Sequence, residues 1–344
     1  MVAFFLLVMP PFHGVSAQEK KSPDSPGKRN QGGKNARPRV SLSPRFSPGQ
    51  VFRYEMEFET TTATSRSGLT KDPEGPSRLV ITWDATVRME VLAAGPAAPD
   101  GIRLRTTYEK STASVRSDTF DPDSAQTQAQ YEKLQGKVVE FSLDANGNVK
   151  SVLGLEGVVD GEKAAQDASD WIARLDASSG APPGGVMVGQ KWSSDMEAKE
   201  LPVAGMVWRT ESEYLRNEDC HPPNPEVPAS APVESAGSPP SAETCAVILA
   251  HLNLVRLKSV RNPTPEEYRK NGIQTAGTWN GSAQSLTYVS LRTGIVVSVT
   301  QTGTEDMDVT LTTAHNNTSM HYSGTILSRS QVALATDVKR DSSP

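Results

Sequence analysis

Alternation constrains this chain more than any other feature. Phe52, Tyr54, Met56 and Phe58 share one parity, with Arg53, Glu55 and Glu57 on the other. From 79 to 91, Leu79, Ile81, Trp83, Ala85, Val87, Met89 and Val91 alternate with Val80, Thr82, Asp84, Thr86, Arg88 and Glu90. A period of two sorts side chains onto opposite faces of an extended strand, whereas a helix would scatter them. One apolar and one charged face imply an antiparallel sheet that is wet on one side. Further strands are expected over 102–116, 206–217 and 246–260, as short hairpin arms at 138–143 with 148–153 and 286–291 with 295–300, and over 305–313 and 319–333. Turns fall where Gly, Pro, Asp and Asn gather: 93–101, Asp144 to Gly147, and Arg292-Thr293-Gly294.

The 26 glycines and 25 prolines suit a turn-rich, mainly β chain. Short helices are expected at 123–134, with Tyr131 and Leu134 as apolar contacts, and at 161–175, with Ala164, Ala168, Trp171, Ile172 and Leu175 on one face. A third should start at Thr264 as N-cap, with Pro265 in the first turn and Glu267 at the third position. The pattern then repeats: Gly49-Gln50-Val51-Phe52 opens one set of strands and Gly189-Gln190-Lys191-Trp192 opens another. The expected fold is therefore two related, curved antiparallel sheets with a few short helices, the first over 46–180 and the second over 181–335.

The segments outside the sheets point to export. Val2 to Met9 is apolar but too short to span a bilayer, and Val15-Ser16-Ala17 offers the small residues a signal peptidase accepts. Residues 1–17 are read as a signal peptide, and no later segment is apolar enough to be a transmembrane helix. Residues 18–45 carry eight lysines and arginines against two acids in a chain of net charge −5. With almost no apolar content, that arm is expected to be disordered, as is the tail 336–344. The arm could contact an acidic envelope component. It has no interleaved aromatics, which argues against a nucleic-acid partner. Cys220 and Cys245 flank a proline-rich loop, 221–244, and a lone pair in an exported chain is expected to form a disulfide at its base.

Four pieces together resemble a family of exported, β-rich bacterial proteins without an assigned activity: Gly49-Gln50, Leu143-Asp144-Ala145-Asn146-Gly147-Asn148-Val149, Val188-Gly189-Gln190-Lys191-Trp192 and Leu291-Arg292-Thr293-Gly294. The resemblance spans about 46–333. It implies export to the periplasm or beyond and a β fold, and transfers no catalytic residue. Strands followed by helices that could plug an apolar face are also similar, at the level of fold, to the periplasmic lipoprotein carriers.

Motifs for chemistry are absent. Asp144, Asn146 and Asn148 lack the glycine and the twelfth-position acid of a calcium loop. His315, His321, Asp306 and Asp308 could converge on a metal only if the turn between the histidines allowed it, and neither metal nor other cofactor is expected. No nucleophile motif appears, and paired acids such as Glu55 and Glu57 sit on the polar parity, so no catalytic residue is assigned. The sequons at Asn280, Asn316 and Asn317 are expected to be silent in a bacterial chain. What remains is the apolar row of Phe52, Tyr54, Met56, Phe58, Ile81, Trp83, Met89, Trp208, Tyr214 and Trp279. These residues could line a cup for a lipid or acyl chain, or could simply form a core. The expected function is a non-enzymatic extracytoplasmic carrier for an apolar ligand. The alternatives are an envelope structural or interaction protein and, less favoured, a secreted hydrolase.

Overall fold

A computed structural model describes residues 39–68, 77–95, 101–119, 124–143, 149–154, 180–182, 184–198, 201–220, 243–313, 315 and 318–335. Eleven strands run in chain order: β1 (Val51–Gly68), β2 (Ser77–Ala93), β3 (Ile102–Ser117), β4 (Val138–Leu143), β5 (Val149–Leu153), β6 (Lys191–Glu197), β7 (Met206–Asp219), β8 (Thr244–Arg256), β9 (Ile273–Ser290), β10 (Val296–Thr313) and β11 (Ser319–Leu334). Helix α1 (Ser124–Glu132) follows β3, and α2 (Glu266–Lys270) precedes β9. The chain is mainly β, as the alternation implies.

The two sets of strands form one sheet rather than two. Its order is β5-β4-β3-β2-β1-β11-β10-β9-β8-β7-β6. The first strand pairs with the last, from Tyr54 opposite Leu334 to Gly68 opposite Met320. Both strands are long and amphipathic, and this register sets Met56 beside Val332 on the apolar side. Had they stayed apart, each would have left a long unpaired edge. Ladder irregularities at Thr86/Val87, Val91/Ala93, Ser142/Leu143, Tyr214/Arg216 and Val296/Ser298 bend the ribbons.

The two Gly-Gln sequences build the same turn. Gly49 has φ +83° and Gly189 has φ +84°, in the region glycine tolerates. Gly49 N–H donates to Val91 O, and Val91 N–H returns to Gln50 O. Gly189 N–H likewise donates to Tyr214 O, and Tyr214 N–H returns to Gln190 O. In each case the glutamine Oε1 accepts from the backbone N–H three residues earlier, Ser47 or Met187.

Several details depart from the sequence reading. The hairpin arms at 286–291 and 295–300 are the ends of eighteen-residue strands, and β10 runs without a break into 305–313. Thr264 does not cap α2. Its Oγ1 accepts from Thr275 N–H at 2.9 Å and donates to Thr275 O, which pins the preceding loop to β9. Helix α2 is left with Pro265 at its N-cap and no side-chain cap. Residues 39–45, placed in the basic arm, are held against the sheet. Val40 bridges to Val186, Arg39 Nη2 donates to Gly185 O, Arg45 N–H donates to Thr293 O, and Leu42 is buried. Val40 packs against the same cluster that buries Leu42, so two apolar residues and a single bridge hold the strap in place. The arm up to 38, the signal peptide, the helix at 161–175, most of the proline-rich loop and the tail lie outside the described residues.

Candidate functional site

All ten residues of the apolar row fall on one parity of the sheet, its inner face. The ladders align Phe52 with Met89, Tyr54 with Val87 and Phe58 with Trp83. They also set Tyr214 opposite Ile248 and Trp279 opposite Met307. The face is nevertheless not one continuous cup, because its grease divides into two clusters.

The first cluster holds Tyr54, Met56, Trp83, Met89 and Tyr214, with Phe52 and Phe58 partly buried against it. Leu42 of the strap and Leu134 beyond α1 belong to it as well. Trp83 stacks on Phe58 at 5.2 Å between centroids and leans on Tyr131 of α1 at 5.3 Å. Its Nε1–H donates to Ser111 Oγ, which in turn donates to Tyr131 O. Tyr54 Oη donates to Val296 O, and burial pushes the phenol well above its usual range. At this end of the sheet the apolar side chains are buried against one another, the strap and α1. Ile81 is buried but belongs to neither cluster.

The second cluster gathers Met196, Met206, Trp208, Leu252, Leu254, Trp279, Val309 and Ile326. Leu201 and Val203 cover it from the β6–β7 connector. That connector is tied down by Ala198 N–H to Met206 O and Ala204 N–H to Pro263 O. The floor is made of small residues. A side-chain carbon at Gly281 would lie 2.7 Å from the Trp208 ring and 3.2 Å from Glu305 Cγ, so both side chains rest on that glycine. Between the clusters lies a belt of buried polar or small positions, including Ser212, Ser285, Gln301 and Ser330.

Glu305 is the residue that motif reasoning missed. It is 3% exposed, and its Oε2 accepts from Trp279 Nε1–H at 2.8 Å. Burial pushes its carboxyl up to about 7, although the indole bond pulls the other way. The signal was available: along β10 the apolar parity reads Val299, Gln301, Gly303, Glu305, Met307, Val309, and an acid there is out of place.

The ion-paired strand residues lie on the opposite face from Glu305. Arg103 and Arg105 both hold Glu140, whose carboxyl the Arg105 hydrogen bond keeps below the usual range. Arg209 does the same for Asp195. His321 Nε2 lies 3.1 Å from Asp308 Oδ1, and Asp306 accepts from Thr325 Oγ1. Among the described residues no three of His, Cys, Asp or Glu converge in a way that could hold a metal. Cys220 and Cys245 form a disulfide across a sequence separation of 25. Beside it Glu243 joins Ser290 and Arg292. A cleft of about 550 Å³ lies by α2, lined by Asn262, Thr264, Arg269, Gln274 and Thr312 among others, and none of the ten apolar-row residues reaches it. No described helix is long and apolar enough to cross a membrane.

No family model matches the chain, and no curated protein matches it. Among solved structures it is similar to lipovitellin, in a structure concerned with lipid–protein interactions, at 11% identity and TM-score 0.42. That match covers 87% of this chain and 26% of lipovitellin, so the chain spans about a quarter of that protein. It is also similar to the outer membrane protein OprG from Pseudomonas aeruginosa, at 5% identity and TM-score 0.18, covering 86% of this chain and 98% of that one. At such scores the likeness defines neither the fold nor the function of this chain.

Proposed function

We propose that the protein is a non-enzymatic binding or carrier protein for an apolar ligand, a lipid or acyl chain, and that the ligand sits against the second cluster in place of Leu201 and Val203. One observation carries this reading. The floor of that cluster is sheet, built on Gly281 and flanked by Trp208 and Trp279, whereas its cover is a connector. A connector can swing away with far less loss of hydrogen bonding than a strand can. Aromatic and methionine surfaces then adapt to an acyl chain.

Work outside the cytoplasm accords with the disulfide, a bond that persists in oxidising compartments. The paired Gly-Gln turns support two repeats, 46–180 and 181–335, within the one sheet. The test is native mass spectrometry of the purified protein together with titration of an apolar dye. A co-purified lipid that the dye displaces supports a carrier. A bare mass with no dye response refutes it. The filled first cluster favours the second reading, an envelope structural or interaction protein, in which the aromatics are only packing. That reading expects an envelope partner that cross-links to the full chain and is lost when the basic residues of 18–38 are replaced.

A further inference from the structure

Glu305 stands alone among the acids of the sheet. Opposite it in the ladders are Gly281 of β9 and Ile326 of β11, neither of which can pair with a carboxylate. Trp279 donates to it, and Trp208 and Leu254 meet it across the Gly281 floor. Among the described residues no cation forms an ion pair with it, and only Oε2 has a hydrogen bond, the one from Trp279. Oε1 has no partner among the described residues. A carboxyl in such a wall is unfavourable, since an apolar group of the same size would fill the space without a desolvation penalty. If the second cluster were only core, methionine would serve better there, as Met307 does two residues on along the same face.

We propose that Glu305 Oε1 anchors the head of the bound ligand, and that this head is a hydrogen-bond donor, an amine or a hydroxyl, rather than a carboxylate. The inference rests on the apolar-ligand reading and narrows it. Oε1 offers an acceptor where the ligand's polar end would otherwise be buried without a partner. A fatty acid carboxylate would instead set two acceptors against each other unless one of them took up a proton, which costs affinity at pH 7.5. The Trp279 bond fixes the carboxyl plane, so the free oxygen is held in place before the ligand arrives.

Three ligands of equal chain length test this: dodecylamine, dodecanol and dodecanoate, each below its micelle concentration, followed by tryptophan fluorescence at pH 7.5. The wild-type protein should bind the amine and the alcohol at least tenfold more tightly than the carboxylate. Glu305→Gln, checked for its fold by circular dichroism, should lose at least tenfold in amine affinity while changing alcohol affinity by less than threefold. If dodecanoate binds as tightly as the amine, or if Glu305→Gln leaves amine affinity unchanged, the anchor is wrong and the apolar carrier still stands. If none of the three binds to folded protein, the carrier reading falls and the anchor falls with it. The wild-type preference needs no variant, so a Glu305→Gln protein that fails to fold still leaves a decisive measurement.

Discussion

Replacing Glu305 by Gln should remove a specific pH dependence of stability. The folded carboxyl titrates at about 7 instead of 4.5 because burial disfavours its charged form. At 1.36 kcal/mol per pH unit, that interval corresponds to about 3 kcal/mol. The direction follows from proton counting. Below pH 4.5 both folded and unfolded chains hold this proton, and its contribution to stability is fully present. Between pH 4.5 and 7 the unfolded chain releases the proton while the folded chain keeps it, so stability falls as pH rises. Above 7 both are ionised and the loss is complete. Glutamine retains an oxygen for Trp279 Nε1–H but cannot ionise. Urea unfolding of the wild type and Glu305→Gln at pH 4, 5, 6, 7 and 8 isolates the effect, because every other titrating group cancels in the difference. Glu305→Gln should gain about 3 kcal/mol on the wild type between pH 4 and pH 8. A difference that stays constant within about 1 kcal/mol over that range would refute the burial argument.

Three further outcomes are expected. Gly185 has φ +76°, and a side-chain carbon there would lie 2.6 Å from Val40 O; Gly185→Ala should therefore loosen the strap, costing about 1–2 kcal/mol in urea unfolding and speeding tryptic cleavage at Arg39 and Arg45. Removing the disulfide as Cys220→Ala with Cys245→Ala should cost about 3 kcal/mol by loop-closure entropy, seen as a lower thermal midpoint that added reductant no longer changes. Trp83→Phe keeps the stack on Phe58 but loses the bond to Ser111 Oγ; it should cost about 1 kcal/mol in urea unfolding, and no loss at all would mean that the bond contributes nothing net.

What could be read from the sequence was local. Parity alone placed Tyr54 and Trp83 on one face, because alternation is a property of the strand itself, whereas the strand that carries Trp279 was foreseen only from 286 onward. Tyr131 and Leu134 marked the helix that covers Trp83, and a lone cysteine pair marked the disulfide. The union of the two strand sets was not legible. It depends on Tyr54 meeting Leu334, and no turn between them fixes that register. Nor was the division of the apolar face into two clusters, since Phe58 and Trp208 look alike in a pattern and differ only in what covers them. Leu42 lies in a run of Ser, Pro and Arg that carries no period. Thr264 fitted the capping rule, but a backbone pair on Thr275 competed for its hydroxyl and won.

The seam between β1 and β11 bears on how the molecule must be made. The strand that begins the sheet waits, with one side bare, for the strand that ends it, so the ladder cannot close until the chain has been made at least as far as Leu334. A truncation at 318 would remove a central stave rather than a trimming, and would leave β1 and β10 as long sticky margins. Closure that waits on contacts so distant in sequence is slow, and it leaves long strand edges bare in the meantime.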